Sequence, residues 1–116
     1  MGKTLAIAAL LLAGTAAATQ AHHGWGSYDV ARKFTISAPI DRVMWQNPHA
    51  HIMLPHAGAT WEITLAPLSR MERRGLTAEM LAPGAEVSVE GYPSARNAHE
   101  MRAERITVAG KTVELR

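Results

Sequence analysis

The chain has 116 residues, a formal charge of +2 and no cysteine. That length bounds it to one small domain, and the lack of cysteine excludes disulfides and a lipobox. The near balance of charge argues against a nucleic-acid surface, which shows a basic patch or stripe.

Lys3 opens a short positive region, Leu5 to Gly14 is apolar, and small residues follow to Ala21. This is the layout of a signal peptide over residues 1–21. The apolar run is too short for a membrane span, which needs about 20 residues. A cut after Ala18 would leave Thr19 first, and a cut after Ala21 would leave His22 first; the second is expected. Residues 22–116 then form a single exported domain, periplasmic or secreted.

From Phe34, apolar residues alternate through Ile36, Ala38 and Ile40, then resume out of phase at Val43 and Trp45. A period of two with one slip predicts a strand with a bulge near Asp41-Arg42. Asn47-Pro48 breaks the run. A second strand, His49 to Leu54, sets Ala50, Ile52 and Leu54 on one face and His49, His51 and Met53 on the other. Pro55 to Gly58 reads as a turn. In the third strand, Thr60 to Leu65, Trp61, Ile63 and Leu65 face inward. The register of this hairpin places Met53 near Glu62 and His51 near Thr64.

Pro67 to Arg74 reads as a short helix stopped by Gly75, and Thr77 as the cap of a second turn. Strands follow at Glu86 to Tyr92 and His99 to Val108, the latter with a phase slip between Ala103 and Ile106. Ala109-Gly110-Lys111 turns the chain into a terminal strand with Val113 and Leu115. The fold class expected is all-β with one short helical insertion. Its order suits a small OB-like barrel of five to six strands. The alternative is an open five-stranded sheet with one helix packed on it.

These residues resemble a family of small exported bacterial proteins of unknown function. The resemblance rests on Ala21-His22-His23, Tyr28-Asp29, Trp45-Gln46-Asn47-Pro48-His49, Trp61, Pro67, Arg74-Gly75-Leu76-Thr77, Leu81, Pro83-Gly84 and Pro93. It spans essentially the whole mature chain and implies no established activity. At His51 the chain departs from the apolar or aromatic residue the resemblance implies.

The chemistry-bearing residues are the histidines at 22, 23, 49, 51, 56 and 99. Imidazole is a common ligand for late transition metals. A mature start at His22 would place an amine beside an imidazole, a natural chelate for Cu(II). His49 and His51 share a strand face, about 6.6 Å apart along the strand at ~3.3 Å per residue. Met53 adds a thioether suited to Cu(I). The metal set expected is His22, His23, His49, His51 and Met53, with copper as the ion. Against this, histidines on a strand face are often merely solvated, and His49 after Asn47-Pro48 suits a hydrogen-bonding role in the turn. His56 and His99 are expected to be exposed. Glu100, Arg102 and Glu104 alternate outward and read as a solvated face.

No enzyme is expected. Ser69 has no His-Asp arrangement near it in sequence, and no Gly-rich phosphate loop or haem motif occurs. The function expected is a periplasmic binding protein with a transition-metal ion or a periplasmic protein as partner, and no nucleic acid. The alternative is a metal-free envelope interaction or stress module.

Overall fold

The computed structural model describes residues 25–116. It is mostly β: seven strands in one sheet, with a few helical turns. The strands are β1 (Phe34–Pro39), β2 (Arg42–Met44), β3 (His51–His56), β4 (Ala59–Thr64), β5 (Glu86–Pro93), β6 (Glu100–Val108) and β7 (Lys111–Glu114). The ladder order is β1-β5-β6-β4-β3-β2, with β7 on β6. All pairings are antiparallel except β4 with β6, which run parallel.

The expected bulge is a change of partner. β1 pairs with β5 and β2 pairs with β3. Between them, the Ile40 amide donates to the Ala85 carbonyl and the Asp41 amide to the Met53 carbonyl, each at 2.9 Å. Two consecutive residues thus bond to opposite ends of the sheet path. The phase slip in the sequence marks this point.

The β3–β4 register is Met53 opposite Glu62 and His51 opposite Thr64, as alternation implies. Its turn is shorter than expected, because β3 runs on through Pro55 and His56. Ala57 and Gly58 both take positive φ, 50° and 79°, as a two-residue hairpin turn of type I′ requires. Ala109 and Gly110, at 52° and 76°, repeat this between β6 and β7. The slip in β6 is also present. Glu90 lies opposite Arg105 and Gly91 opposite Ala103, so Glu104 is the extra residue.

Helix α1 is Leu68–Arg73. Gly75 at φ 91° ends it: its amide donates to Glu72 and that of Leu76 to Met71. This is the Schellman pattern, with buried Met71 and Leu76 as its apolar contact. Thr77 makes no side-chain cap, contrary to expectation; its carbonyl instead accepts the Met80 amide.

The core joins the inward positions of every long strand, including Ile36, Ile52, Leu54, Ile63, Val89, Met101 and Ile106, with Met71, Leu76 and Leu81 from the helical insertion. Among the described residues no helix is long and apolar enough to cross a membrane. Gly91 is where the packing admits least change. A Cβ there would collide with the Arg102 carbonyl and lie 2.7 Å from the Ala103 Cα. Gly91→Ala is expected to lower stability by about 1–3 kcal/mol, as overpacking does. Gly26→Ala, with nothing within 4 Å of its Cβ, is expected to leave the urea midpoint unchanged.

Candidate functional site

The outer faces of β3, β4 and β6 carry most of the chemistry expected from sequence. Burial alternates along the chain: Ala50, Ile52 and Leu54 are buried, while His49, His51 and Met53 are half-buried. Two cross-strand rows run over this face. One is Met44, His51, Thr64, Arg102, Tyr92, and the other is Arg42, Met53, Glu62, Glu100.

His51 Nδ1 lies 3.2 Å from Glu62 Oε2 and 3.3 Å from Thr64 Oγ1. Both contacts engage the same ring nitrogen. With the proton on Nδ1 donated to Glu62, Nε2 carries the lone pair that a metal would use. A carboxylate behind a histidine is the usual means of fixing that tautomer. His49, which follows a cis Asn47-Pro48 bond, is half-buried and engaged by its surroundings. His22 and His23 lie outside the described residues.

The face is covered where the sequence suggested open solvent. Arg102 was expected on a solvated face, yet it is 6% exposed, and Thr64 is also 6% exposed. The cover is the segment just after the histidine pair. Trp25 lies over Arg102, with the guanidinium carbon 4.5 Å from the ring centroid, and Arg116 stacks on the same ring at 4.7 Å. Tyr92 and Tyr28 meet Trp25 edge-on, at 5.8 and 6.5 Å. Tyr28 bridges to Ser94, and its hydroxyl donates to Glu100 Oε1 at 3.3 Å. Burial, and then the nearby Arg70 and Arg116 charges, hold the Arg102 guanidinium below its ordinary range, against the opposing pull of Tyr28. Its Nε has no hydrogen-bond partner among the described residues.

His56 and His99 both make ring contacts. His56 meets Phe34 at a tilt and Trp61 edge-on, with centroids 6.0 and 5.7 Å apart, and His99 meets Trp61 edge-on at 5.4 Å. His56 is half-buried, whereas His99 is exposed as expected. Sequence reasoning missed Trp25 as a structural residue. The signal was there: Trp25 and Tyr28 are large aromatics in a stretch otherwise of small and polar residues.

Of the expected metal set, His51 and Met53 share one outer strand face. Among the described residues, no group of three or more histidine, cysteine or acidic side chains is placed to hold a metal ion.

Two phenols give the face an alkaline limit. The Tyr28 phenol sits above its ordinary 10.0 through burial and then the Glu100 charge. That of Tyr92 is raised by its hydrogen bond to Glu104. Near pH 10 the unfolded chain begins to lose these protons while the folded chain keeps them. Folding stability is therefore full below pH 10 and falls as pH rises beyond it. Unfolding free energy measured in urea is expected to drop with pH in that window, and the slope to flatten in the Tyr28→Phe, Tyr92→Phe double variant.

A solved structure with a similar fold is a chain in the crystal structure of TiaS in complex with an isoleucine tRNA and ATP. The TM-score is 0.52 at 14% identity, over 77% of this chain and 20% of that one, so this chain spans about a fifth of that protein's length. No curated protein matches the chain. A family model described as a family of unknown function matches residues 9–103. The chain belongs to that family, DUF6152.

Proposed function

We propose that the protein is an exported, non-catalytic binding protein of OB type that holds a late transition-metal ion, copper foremost, on the outer face of β3. In this reading β1 and β2 are halves of one bent strand. The order β1-β5-β6-β4-β3-β2 then returns to its start as a small barrel, with α1 between β4 and β5. The similar chain from the tRNA complex supports the fold alone. Its tRNA is not carried over, because the present sequence has nearly balanced charge.

The observation that carries the metal reading is the docking of Trp25 and Tyr28 on the His51 side of the sheet. Arg102 beneath Trp25 is two strands from His51, through Thr64. At ~4.8 Å between strands, that separation is about 10 Å. His23 precedes Trp25 by two residues, and each residue reaches ~3.8 Å. The chelate therefore requires the two residues before Trp25, which can span about 7 Å, to extend toward His51. The ligands are the terminal amine, His22 or His23, and His51 Nε2, with Met53 as the soft ligand for Cu(I). His49, also in the expected metal set, takes second place. The Glu62 contact favours His51 instead, as the carboxylate that orients the ring. The protein would sequester the ion or pass it to a periplasmic partner.

The alternative is a metal-free envelope interaction or stress module. One observation favours it: an aromatic cleft at Phe34 and Trp61 that requires no ion.

The test is copper titration of the exported, processed protein, with its terminus fixed by intact mass. One equivalent is expected to bind. Affinity is expected to fall about tenfold or more, ~1.4 kcal/mol or above, in His51→Ala and when one residue is added before His22. His56→Ala should bind as the parent does. Equal affinity for the native and extended termini would sink the chelate, and an unchanged His51→Ala would remove the inner ligand.

A further inference from the structure

The region around Trp61 carries chemistry that the metal reading does not use. A cleft of about 340 Å³ opens there, lined by Arg32, Lys33, Phe34, Trp61 and Pro93. Phe34 and Trp61 meet edge to face, with centroids 5.3 Å apart. They present ring surface that is only partly covered by the core. His56 and His99 brace Trp61 at 5.7 and 5.4 Å. His99 does so from the left-handed region, φ 57°, a conformation that costs a non-glycine residue and concentrates at binding sites.

The polar side chains that line the cleft are all donors. Trp61 Nε1 is shielded from solvent and has no hydrogen-bond partner among the described residues. An indole N–H can only donate, and a buried donor without an acceptor is rare in folded proteins. Lys33 is occupied, 3.8 Å from Glu90 and 3.6 Å from Glu104. The Arg32 side chain is exposed and makes no ion pair or hydrogen bond among the described residues. Its planar fork matches a carboxylate in two parallel hydrogen bonds.

We propose that this cleft is a binding site for a small aromatic carboxylate. The ring lies against Phe34 and Trp61, and the carboxylate accepts from Arg32. The volume is near the lower end of ligand clefts, which run from about 300 to 1,000 Å³. It suits a single substituted ring. A neutral ring would leave the charge of Arg32 unused, and an aliphatic anion would leave the aromatic floor unused. This site is independent of any metal on the outer face of β3.

Benzoate titrated into the metal-free full chain, followed by the Trp61 indole N–H resonance, tests the assignment. Saturable binding is expected, with benzyl alcohol and acetate each at least about tenfold weaker. Arg32→Gln changes an exposed side chain and leaves the core intact, so its folding is secure. It should weaken benzoate about tenfold and bring benzoate and benzyl alcohol to similar affinity. Trp61→Leu removes half of the aromatic floor and should weaken benzoate and benzyl alcohol together, leaving the preference for the acid in place. No saturable shift at Trp61, or equal binding of benzoate and benzyl alcohol by the parent chain, would overturn the site. So would an Arg32→Gln variant that still prefers the acid.

Discussion

Ile40 and Asp41 set the architecture. Their amides bond in opposite directions, one to Ala85 before β5 and the other to Met53 in β3. A backbone donor buried without an acceptor costs about as much as a lost hydrogen bond, so both demands have to be met together. Meeting them brings the β1–β5 edge and the β2–β3 edge of the sheet to one segment of chain. Inward residues from both, Ile36 and Val89 on one side and Ile52 and Ile63 on the other, then share a single core. α1 and the turn at Ala78–Leu81 add Met71, Leu76 and Leu81 to the same core. A domain this small has limited apolar surface to bury, and one continuous core uses it more fully than two faces would.

The outer face obeys a different rule. Arg102 points away from the core, yet it is nearly as buried as the core residues. Burying a guanidinium costs several kcal/mol unless it is paired. No carboxylate lies in ion-pair contact with it among the described residues. The compensation is the Trp25 ring at 4.5 Å, where cation–π attraction supplies about 0.5–2 kcal/mol according to desolvation. The arrangement therefore binds Trp25 and Arg102 to one another energetically. Removing the ring would expose Arg102 to water, and removing the charge would leave Trp25 with only the Arg116 guanidinium on its face. That mutual dependence pins residues 25–28 to the sheet.

Much of the fold is legible in the sequence because it is carried by short-range pattern. The hairpin register at His51–Thr64 follows from alternation alone, and the slips at Asp41 and Glu104 mark a partner change and a bulge. Pro55 misleads because proline is a turn former, but here it continues β3 and the turn falls to Ala57-Gly58. The first strand counts as two because its halves take different partners. The candidate site is less legible, for a physical reason. Alternation tells which residues face away from the core, but not whether another segment then covers them. Arg102 is read correctly as outward and incorrectly as solvated, since the cover comes from Trp25, far away in sequence. His56 is misjudged likewise, because its ring contacts with Phe34 and Trp61 link three separate strands.

Strand β4 ties these regions together. Trp61 lines the aromatic cleft, Glu62 orients His51, Ile63 fills the core and Thr64 sits between His51 and Arg102. Four successive residues thus serve four environments, and strand geometry is what keeps them apart, since neighbours point to opposite faces. The backbone between Trp61 and Glu62 is also fixed from outside. The Glu62 amide donates to the carbonyl of His99, whose ring braces Trp61. A displacement of His99 would therefore act on both sides of the sheet at once, on Trp61 through ring contact and on Glu62 through the backbone. The cleft and the His51 face are chemically independent but mechanically adjacent. Any coupling between them has its shortest physical route through His99 and these two residues of β4.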